Sequence, residues 1–108
     1  VTIKLNKDFR TAYYHGRSQV HPALVTYVRR NRLGFTRVGI TTGKKLGSAV
    51  VRNRCRRVIR EAYRSLSPSL KAGYDIVFVA RTKTAASKST TLTGVMASHL
   101  RKAGVLPA

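Results

Sequence analysis

Residues 48–66 carry the pattern that most constrains how this chain can fold. At 100° per residue, the apolar side chains of this segment fall within an arc of about 100°, as expected for a helix that buries one side. The apolar positions are Val51, Cys55, Val58, Ile59, Ala62 and Leu66. Ser48 is a suitable N-cap at the start. A helix of this kind is stable only against a second layer of structure.

Three other segments have the patterns of β-strands and can supply that layer. Two of them alternate apolar and polar positions, and the third is a continuous run of apolar, mostly β-branched residues that is typical of a central strand. These strands are predicted at 24–29, 37–42 and 74–80. Two further helices are predicted at 6–15 and 89–103, and each is followed by a glycine. We therefore expect one α+β domain over 1–108, with helices packed on a sheet.

The side of the 48–66 helix opposite the apolar arc is almost entirely arginine. We call this surface the arginine face, and it comprises Arg52, Asn53, Arg54, Arg56, Arg57, Arg60 and Arg64. Like charges one turn apart cost roughly 0.2–0.5 kcal/mol per pair, and only Glu61 is placed to pair Arg57 or Arg64. Arginine also suits bidentate contacts to phosphate and stacking on bases. The pattern predicts a surface that binds nucleic acid.

The charge of the whole chain supports the same class of partner. There are 22 Lys and Arg residues against 3 Asp and Glu, which gives a formal net charge of +19. The partner is therefore expected to be a nucleic acid or an anionic membrane surface. The longest apolar strand run, 76–80, is far shorter than the roughly 20 residues of a membrane span. A membrane-surface protein would expose bulky apolar residues opposite the arginines, and a dimeric DNA-binding protein would need a second apolar face. Neither feature is evident in this sequence.

The loop at 43–47 brings Lys44 and Lys45 to the start of the arginine helix, where free backbone N–H groups favour an anion. It is not a nucleotide-binding P-loop, because the spacing from Gly39 to Gly43 is too short and no hydroxyl residue follows Lys45. Cys55, the single cysteine, cannot form an internal disulfide and is expected to pack in the core, which fits a reducing compartment.

Aromatic side chains form a second candidate site. Phe9 and Tyr13 share one side of the first helix, and Tyr27 lies on the first predicted strand. Two interpretations are open: the rings cover the sheet, or they form a platform for unstacked bases, worth about 1–3 kcal/mol per base. His99 lies on the apolar stripe of the last helix and is expected to be a packed histidine rather than a ligand.

Acidic residues are too scattered for metal-dependent nuclease chemistry. Asp8, Glu61 and Asp75 lie on three different predicted elements, whereas a two-metal nuclease site needs clustered carboxylates. If the chain takes part in phosphodiester cleavage, the metal ions must be held largely by nucleic acid.

The stretch 37–64 resembles the signature of the bacterial ribonuclease P protein subunit. Its most specific part is Arg52-Asn53-Arg54, followed by Arg57 and Arg60. Shorter matches in the same order extend the resemblance over roughly 5–104. They are Asp8-Phe9, His15-Gly16, 74–77, Ala80-Arg81 and 100–102.

This resemblance implies an α-β-β-β-α-β-α two-layer sandwich, with a short extra strand near 17–20. It also implies a left-handed β-α-β crossover, against the usual right-handed rule. The implied function is that of the protein component of a ribonucleoprotein endoribonuclease in the bacterial cytoplasm, which removes the 5′ leader from precursor tRNA. In that family the RNA subunit carries the chemistry and, with the substrate, the Mg²⁺ ions. No catalytic or metal-binding residue is therefore expected in this chain.

Carried over by position, the resemblance assigns roles to both candidate surfaces. The arginine face would bind the catalytic RNA, and the aromatic residues would hold the single-stranded leader. The expected leader-binding residues are Phe9, Tyr13, Tyr27, Lys44, Lys45 and Arg81. The expected partners are the catalytic RNA and precursor tRNA, with no DNA and no membrane. The alternative is a small basic ribosomal protein that binds ribosomal RNA, which would need no open aromatic cleft.

Overall fold

A computed structural model describes residues 2–3 and 6–107 and contains three helices and four strands in the expected α-β-β-β-α-β-α order. The elements are α1 (Asn6–His15), β1 (Arg17–His21), β2 (Leu24–Arg30), β3 (Arg37–Thr41), α2 (Ala49–Leu66), β4 (Tyr74–Ala80) and α3 (Ser89–Lys102). The short strand implied near 17–20 is therefore present as β1. Within the described residues, no helix is long and apolar enough to cross a membrane.

The four strands form one mixed sheet in the order β1-β2-β4-β3. β2 is antiparallel to both β1 and β4, whereas β3 and β4 are parallel and are connected through α2. Because parallel neighbours run in the same direction, β3 and β4 end at the same edge of the sheet. The left-handed sense of this crossover stays a prediction.

The face of the sheet that carries Ile76 and Phe78 is covered by α2 and α3, and these elements share the main hydrophobic core. The predicted apolar arc of α2 is confirmed, since Cys55 and Ile59 are fully buried. Burial raises the pKa of the Cys55 thiol, so it stays a neutral packing group. The predicted N-cap is also confirmed, because Ser48 Oγ accepts a hydrogen bond from the Val51 amide at 3.4 Å.

The opposite face of the sheet is covered in part by α1. Ala12 and Val77 are buried there, with Phe9, Tyr13 and Tyr27 packed against them. The absence of a side chain at position 39 is required by this packing. A Cβ atom on Gly39 would lie 2.6 Å from Cε1 of Phe9, which is closer than two carbon atoms can approach.

The remaining differences from the sequence-based expectations are small. The expected loop after β3 contains a short 3₁₀ helix, Lys44–Leu46. β3 ends at Thr41 and α3 at Lys102, each one residue earlier than predicted. His99 is buried as expected, and its Nδ1 lies 2.8 Å from Oγ1 of Thr26.

Candidate nucleic-acid interface

The arginine face is presented to solvent along α2. Five of its residues are exposed, and two at its borders are half-buried. The exposed residues are Asn53, Arg54, Arg57, Arg60 and Arg64, and the half-buried ones are Arg52 and Arg56. The opposite side of α2 is buried in the core, so the apolar and the cationic surfaces lie on two sides of the same helix.

Few of these arginine side chains are neutralised or held within the protein. Arg54 Nε donates to the Ala85 carbonyl at 2.6 Å, and Arg56 Nη1 donates to Asn53 Oδ1 at 3.2 Å. Glu61 pairs with neither Arg57 nor Arg64 among the residues that the structure describes, although the sequence places it within reach of both. The arginine face therefore keeps nearly all of its positive charge in the free protein.

Phe9 and Tyr13 line a groove between α1, the end of β3 and α2, whereas Tyr27 packs beside Tyr13 and does not line the groove itself. Tyr13 contacts Tyr27 edge to face at a centroid distance of 5.0 Å, and its hydroxyl lies 2.7 Å from Oγ1 of Thr41. The cavity beside them has a volume of about 610 Å³, and we call it the aromatic groove. It is lined by Phe9, Arg10, Tyr13, Ile40, Thr41, Thr42 and Arg56. The three aromatic rings are half-buried, so they cover the sheet and also keep an accessible side.

The sheet beside the aromatic groove is left uncovered by α1. The strand register places Val20, Val25 and Val79 in one row with Thr41, on the same face as Tyr27. Val20 is 67% exposed, and Val25 and Val79 are half-buried. This row forms an apolar floor next to the groove that extends towards the edge strand β1, although none of the three valines lines the cavity itself.

Lys44, Lys45 and Arg81 lie at the edge of the sheet where β3 and β4 end, which is also the edge nearest the valine row. All three are exposed, and none of them lines the aromatic groove itself. Among the residues that the structure describes, the one hydrogen bond of the Arg81 guanidinium is a long one of 3.5 Å to the His21 carbonyl. The three cations therefore flank the open end of the apolar floor.

Two positions of this region were not predicted from the sequence, because Arg10 had no predicted role and Arg56 was predicted only for the arginine face. Arg10 lines the aromatic groove from α1. Arg56 lines it from α2, and with Arg60 it also lines a second cavity of about 300 Å³ beside Phe9. The two candidate surfaces thus meet along the β3 side of the sheet. Helical periodicity places Arg56 beside the arginine stripe but gives no information on which neighbouring element it approaches.

The carboxylates of the described residues are not arranged to hold a metal ion. Asp75 is buried, and its two oxygens accept hydrogen bonds from Arg37 at 2.9 and 2.6 Å and from Asn31 at 2.7 Å. Burial alone would raise the pKa of Asp75, but these hydrogen bonds hold it below its usual value. No group of three His, Cys, Asp or Glu side chains converges within the described part of the chain, and the Asp8 side chain lies outside it. The described residues therefore do not fit a protein-held Mg²⁺ site.

A mixed sheet backed by an arginine-rich helix, with an open aromatic groove on its other side, defines a small basic protein suited to binding nucleic acid. Comparison with known proteins narrows this class. The family described as Ribonuclease P matches residues 1–104. The "Ribonuclease P protein component" of Clostridioides difficile is 49% identical over 80 residues, covering 73% of this chain and 70% of that protein. The protein of that name from Clostridium botulinum strain Langeland is 38% identical over 104 residues, covering 95% and 94%.

Solved structures agree with the sequence relatives. The RNase P protein of Staphylococcus aureus superposes with a TM-score of 0.84 at 31% identity, covering 97% of this chain and 96% of that one. The RNase P protein from Thermotoga maritima gives a TM-score of 0.80 at 26% identity, covering 94% and 96%. The chain belongs to the ribonuclease P protein family. This confirms the resemblance found in the sequence and favours it over a ribosomal protein.

Proposed function

We propose that this protein binds the catalytic RNA of ribonuclease P through the arginine face and the 5′ leader of precursor tRNA through the aromatic groove. The observation that carries the proposal is the chemical difference between the two surfaces. One is a row of guanidinium groups on a helix that form no ion pair with any described residue, and the other is a half-buried aromatic groove beside an apolar floor.

The arginine face suits a folded RNA. A rigid helix with guanidinium groups one turn apart can contact successive phosphates of a structured backbone, and each guanidinium can donate two hydrogen bonds to one phosphate. The charge repulsion along α2 is relieved when phosphates lie between the arginines. Binding of the catalytic RNA therefore stabilises the protein as well as the complex.

The aromatic groove suits an unpaired strand. Sequence-tolerant binding of single-stranded RNA combines stacking on aromatic rings with cations that follow the backbone. Here the exposed sides of Phe9, Tyr13 and Tyr27 are the stacking surfaces, and Arg10 lies along the groove. Lys44, Lys45 and Arg81 then meet the phosphates of the leader at the open edge of the sheet.

The cleavage chemistry belongs to the RNA subunit in this proposal. The catalytic RNA and the substrate hold the Mg²⁺ ions, which stabilise the attacking and leaving oxygens of the displacement. The protein contributes binding energy for the substrate and positive charge that reduces phosphate repulsion near the cleavage site. Its place of action is the bacterial cytoplasm, where precursor tRNA is made, and neither DNA nor a membrane is a partner.

The direct test of the arginine face is the affinity of the protein for a bacterial ribonuclease P RNA. Arg57→Ala and Arg60→Ala remove exposed side chains whose guanidinium groups make no hydrogen bond or ion pair with other described residues. Each change is expected to weaken binding about two- to tenfold while leaving the melting temperature unchanged, since a typical hydrogen bond contributes roughly 0.5–1.5 kcal/mol. A matched control is Lys88→Ala, which is exposed and lies outside both surfaces. Equal affinities for all four proteins would refute the assignment.

A further inference from the structure

The turn between β1 and β2 is held by a histidine side chain. Nδ1 of His21 accepts a hydrogen bond from the Ala23 amide at 3.0 Å. Ala23 is buried, and His21 is the one partner that its amide has among the described residues. Because Nδ1 is the acceptor, the proton of the neutral imidazole lies on Nε2. The turn therefore depends on a neutral His21.

The same turn is bonded to the loop that follows β4. The Ala23 carbonyl accepts a hydrogen bond from Oγ1 of Thr84 at 2.6 Å, and that oxygen accepts one from the Arg81 amide at 2.8 Å. Thr84 is fully buried. The Arg81 guanidinium donates back to the His21 carbonyl at 3.5 Å. The turn and the loop therefore hold each other in place.

A second histidine lies against the first. The His99 ring on α3 is 6.5 Å from the His21 ring, centroid to centroid, and its Nδ1 is 2.8 Å from Oγ1 of Thr26. His99 is buried, and this burial, together with His21 and Lys102, lowers its pKa. We call this cluster the histidine junction, and it comprises His21, Ala23, Arg81, Thr84 and His99.

The charged groups that the neighbouring segments bring to the histidine junction are cations. Arg81 belongs to the junction itself, Lys102 follows His99 on α3, and Arg17 lies further along the same face of β1. β2 and β4 present uncharged residues to the junction on this face of the sheet, namely Leu24, Thr26, Phe78 and Ala80.

Neither α2 nor the described acidic residues offer a negative charge to the junction. Cys55 and Tyr63 are the titratable groups that α2 contributes to the shared core, and burial raises the pKa of both, so they are uncharged. Asp75 lies on the opposite face of the sheet in an ion pair, and Glu61 is exposed on α2. A proton taken up by either histidine therefore meets only positive charges.

Protonation of the two histidines opens the junction. A proton on Nδ1 of His21 turns the acceptor into a donor that faces the Ala23 N–H, so the hydrogen bond is lost and a buried amide is left unpaired. Protonation of His99 places a second cation beside the first. Because the pKa of His99 is lowered in the folded protein, the stabilisation from its neutral form is complete above pH 6.5 and declines as the pH falls below it.

We propose that the histidine junction is a pH-sensitive switch that releases the leader-binding edge of the sheet in mild acid while the arginine face keeps its structure. This inference rests on the proposed function, which assigns that edge to the leader. Val20 and Val25 of the valine row lie on the two sides of the turn, and Arg81 is one of the cations that flank this row. Loss of the turn displaces these residues together, whereas the packing of α2 in the core does not use these hydrogen bonds.

The sign of the effect separates this switch from general electrostatics. Protons taken up in acid raise the positive charge of the protein, so a purely electrostatic response is tighter binding of every RNA. The switch instead weakens binding of the leader and leaves binding of the RNA subunit in place.

The first measurement is amide hydrogen exchange of the free protein at pH 7.5 and 5.5, expressed as protection factors. The Ala23 amide is expected to lose roughly tenfold of its protection in acid, whereas amides in the middle of α2 keep theirs. In His21→Asn the side-chain oxygen can accept the Ala23 N–H and cannot be protonated, so the protection should be the same at both pH values. The matched control is His15→Asn, at an exposed position at the end of α1, which should respond as the unchanged protein does.

The second measurement is the affinity of the holoenzyme for precursor tRNA and for leaderless tRNA at the two pH values, with the RNA subunit saturated by protein. The ratio of the two affinities isolates the leader. From pH 7.5 to 5.5 it should fall about three- to tenfold in the unchanged protein and in His15→Asn, and stay constant in His21→Asn. His21→Ala, which has no acceptor, should give the low ratio at both pH values. A thermal melt at each pH confirms that every variant is folded.

Failure of this inference is distinguishable from failure of the proposed function. Constant Ala23 protection, or a pH response that persists in His21→Asn, would overturn the inference. Lower protection with a constant affinity ratio would also overturn it if Tyr13→Ala weakens binding of precursor tRNA, because the leader site would then be independent of the turn. If Tyr13→Ala has no effect, the proposed leader site is wrong, and the inference fails with it.

Discussion

Replacement of Tyr13 by alanine tests the proposed leader contact separately from the other proposed RNA contacts of the protein. The side chain is half-buried, with one side of its ring against Tyr27 at 5.0 Å and its hydroxyl 2.7 Å from Oγ1 of Thr41. If the accessible side of the ring stacks on one leader base, its loss removes about 1–2 kcal/mol of binding, a factor of roughly 5–30. Mature tRNA has no leader, so its binding should be unchanged.

The assay is the affinity of the holoenzyme, assembled with each variant, for precursor tRNA and for leaderless tRNA. Tyr13→Phe is the matched control, because it removes the hydroxyl contact with Thr41 and keeps the ring. It should bind precursor tRNA within about twofold of the unchanged protein if stacking is the main contribution. Tyr13→Ala also costs stability, since a half-buried aromatic ring is lost from the second core cluster, and a thermal melt must show that the variant is folded at the assay temperature. Equal losses for the two tRNAs in a folded variant would refute the leader assignment.

Three other predictions follow from the charges and the packing. If the protein neutralises about 6–8 phosphates of the RNA subunit, log K should fall with log salt at a slope of about −4 to −7, and Arg57→Ala should reduce that slope by about one unit; an unchanged slope would place the RNA elsewhere. Gly39→Val should lower the melting temperature through a clash with Phe9 worth about 1–3 kcal/mol, visible in a thermal melt, and a wild-type melt would contradict the packing of α1. Burial lowers the pKa of His99 below 6.5, so as pH falls the unfolded chain takes up a proton at this residue before the folded protein does. The free energy of unfolding therefore decreases as pH falls below 6.5. In denaturant titrations, His99→Gln should lose less of its free energy of unfolding between pH 7.5 and 5 than the unchanged protein.

The elements that could be predicted from the sequence are those whose signal is local. The apolar arc of α2 and the N-cap at Ser48 follow from spacing alone, and β4 has the predicted bounds because an apolar β-branched run leaves few alternatives. β1 has no such signal. All five of its residues are at least partly exposed on an edge strand, so no alternation of buried and exposed positions arises, and β1 was expected only from the resemblance.

The parts of the site that escaped prediction depend on contacts between distant segments. The buried pair of Arg37 and Asp75 joins residues 38 positions apart, and neither strand pattern indicates it. Arg56 was predicted for the arginine face, but its place beside Arg10 in the aromatic groove depends on how α1 and α2 meet beside β3. A cavity of about 530 Å³ likewise joins Lys7 to residues of the connection between β2 and β3. Periodicity assigns a residue to one side of its own helix or strand, whereas the neighbour across the groove is determined by the tertiary fold.

The measurement that tests the account most directly is cleavage of precursor tRNA by a bacterial ribonuclease P RNA at low Mg²⁺, with and without this protein. We expect the protein alone to cleave nothing and the RNA alone to cleave poorly at low Mg²⁺, whereas the two together should cleave well because added positive charge lowers the Mg²⁺ requirement. Specific 5′ cleavage by RNA-free protein, or an unchanged Mg²⁺ requirement in the assembled complex, would contradict it.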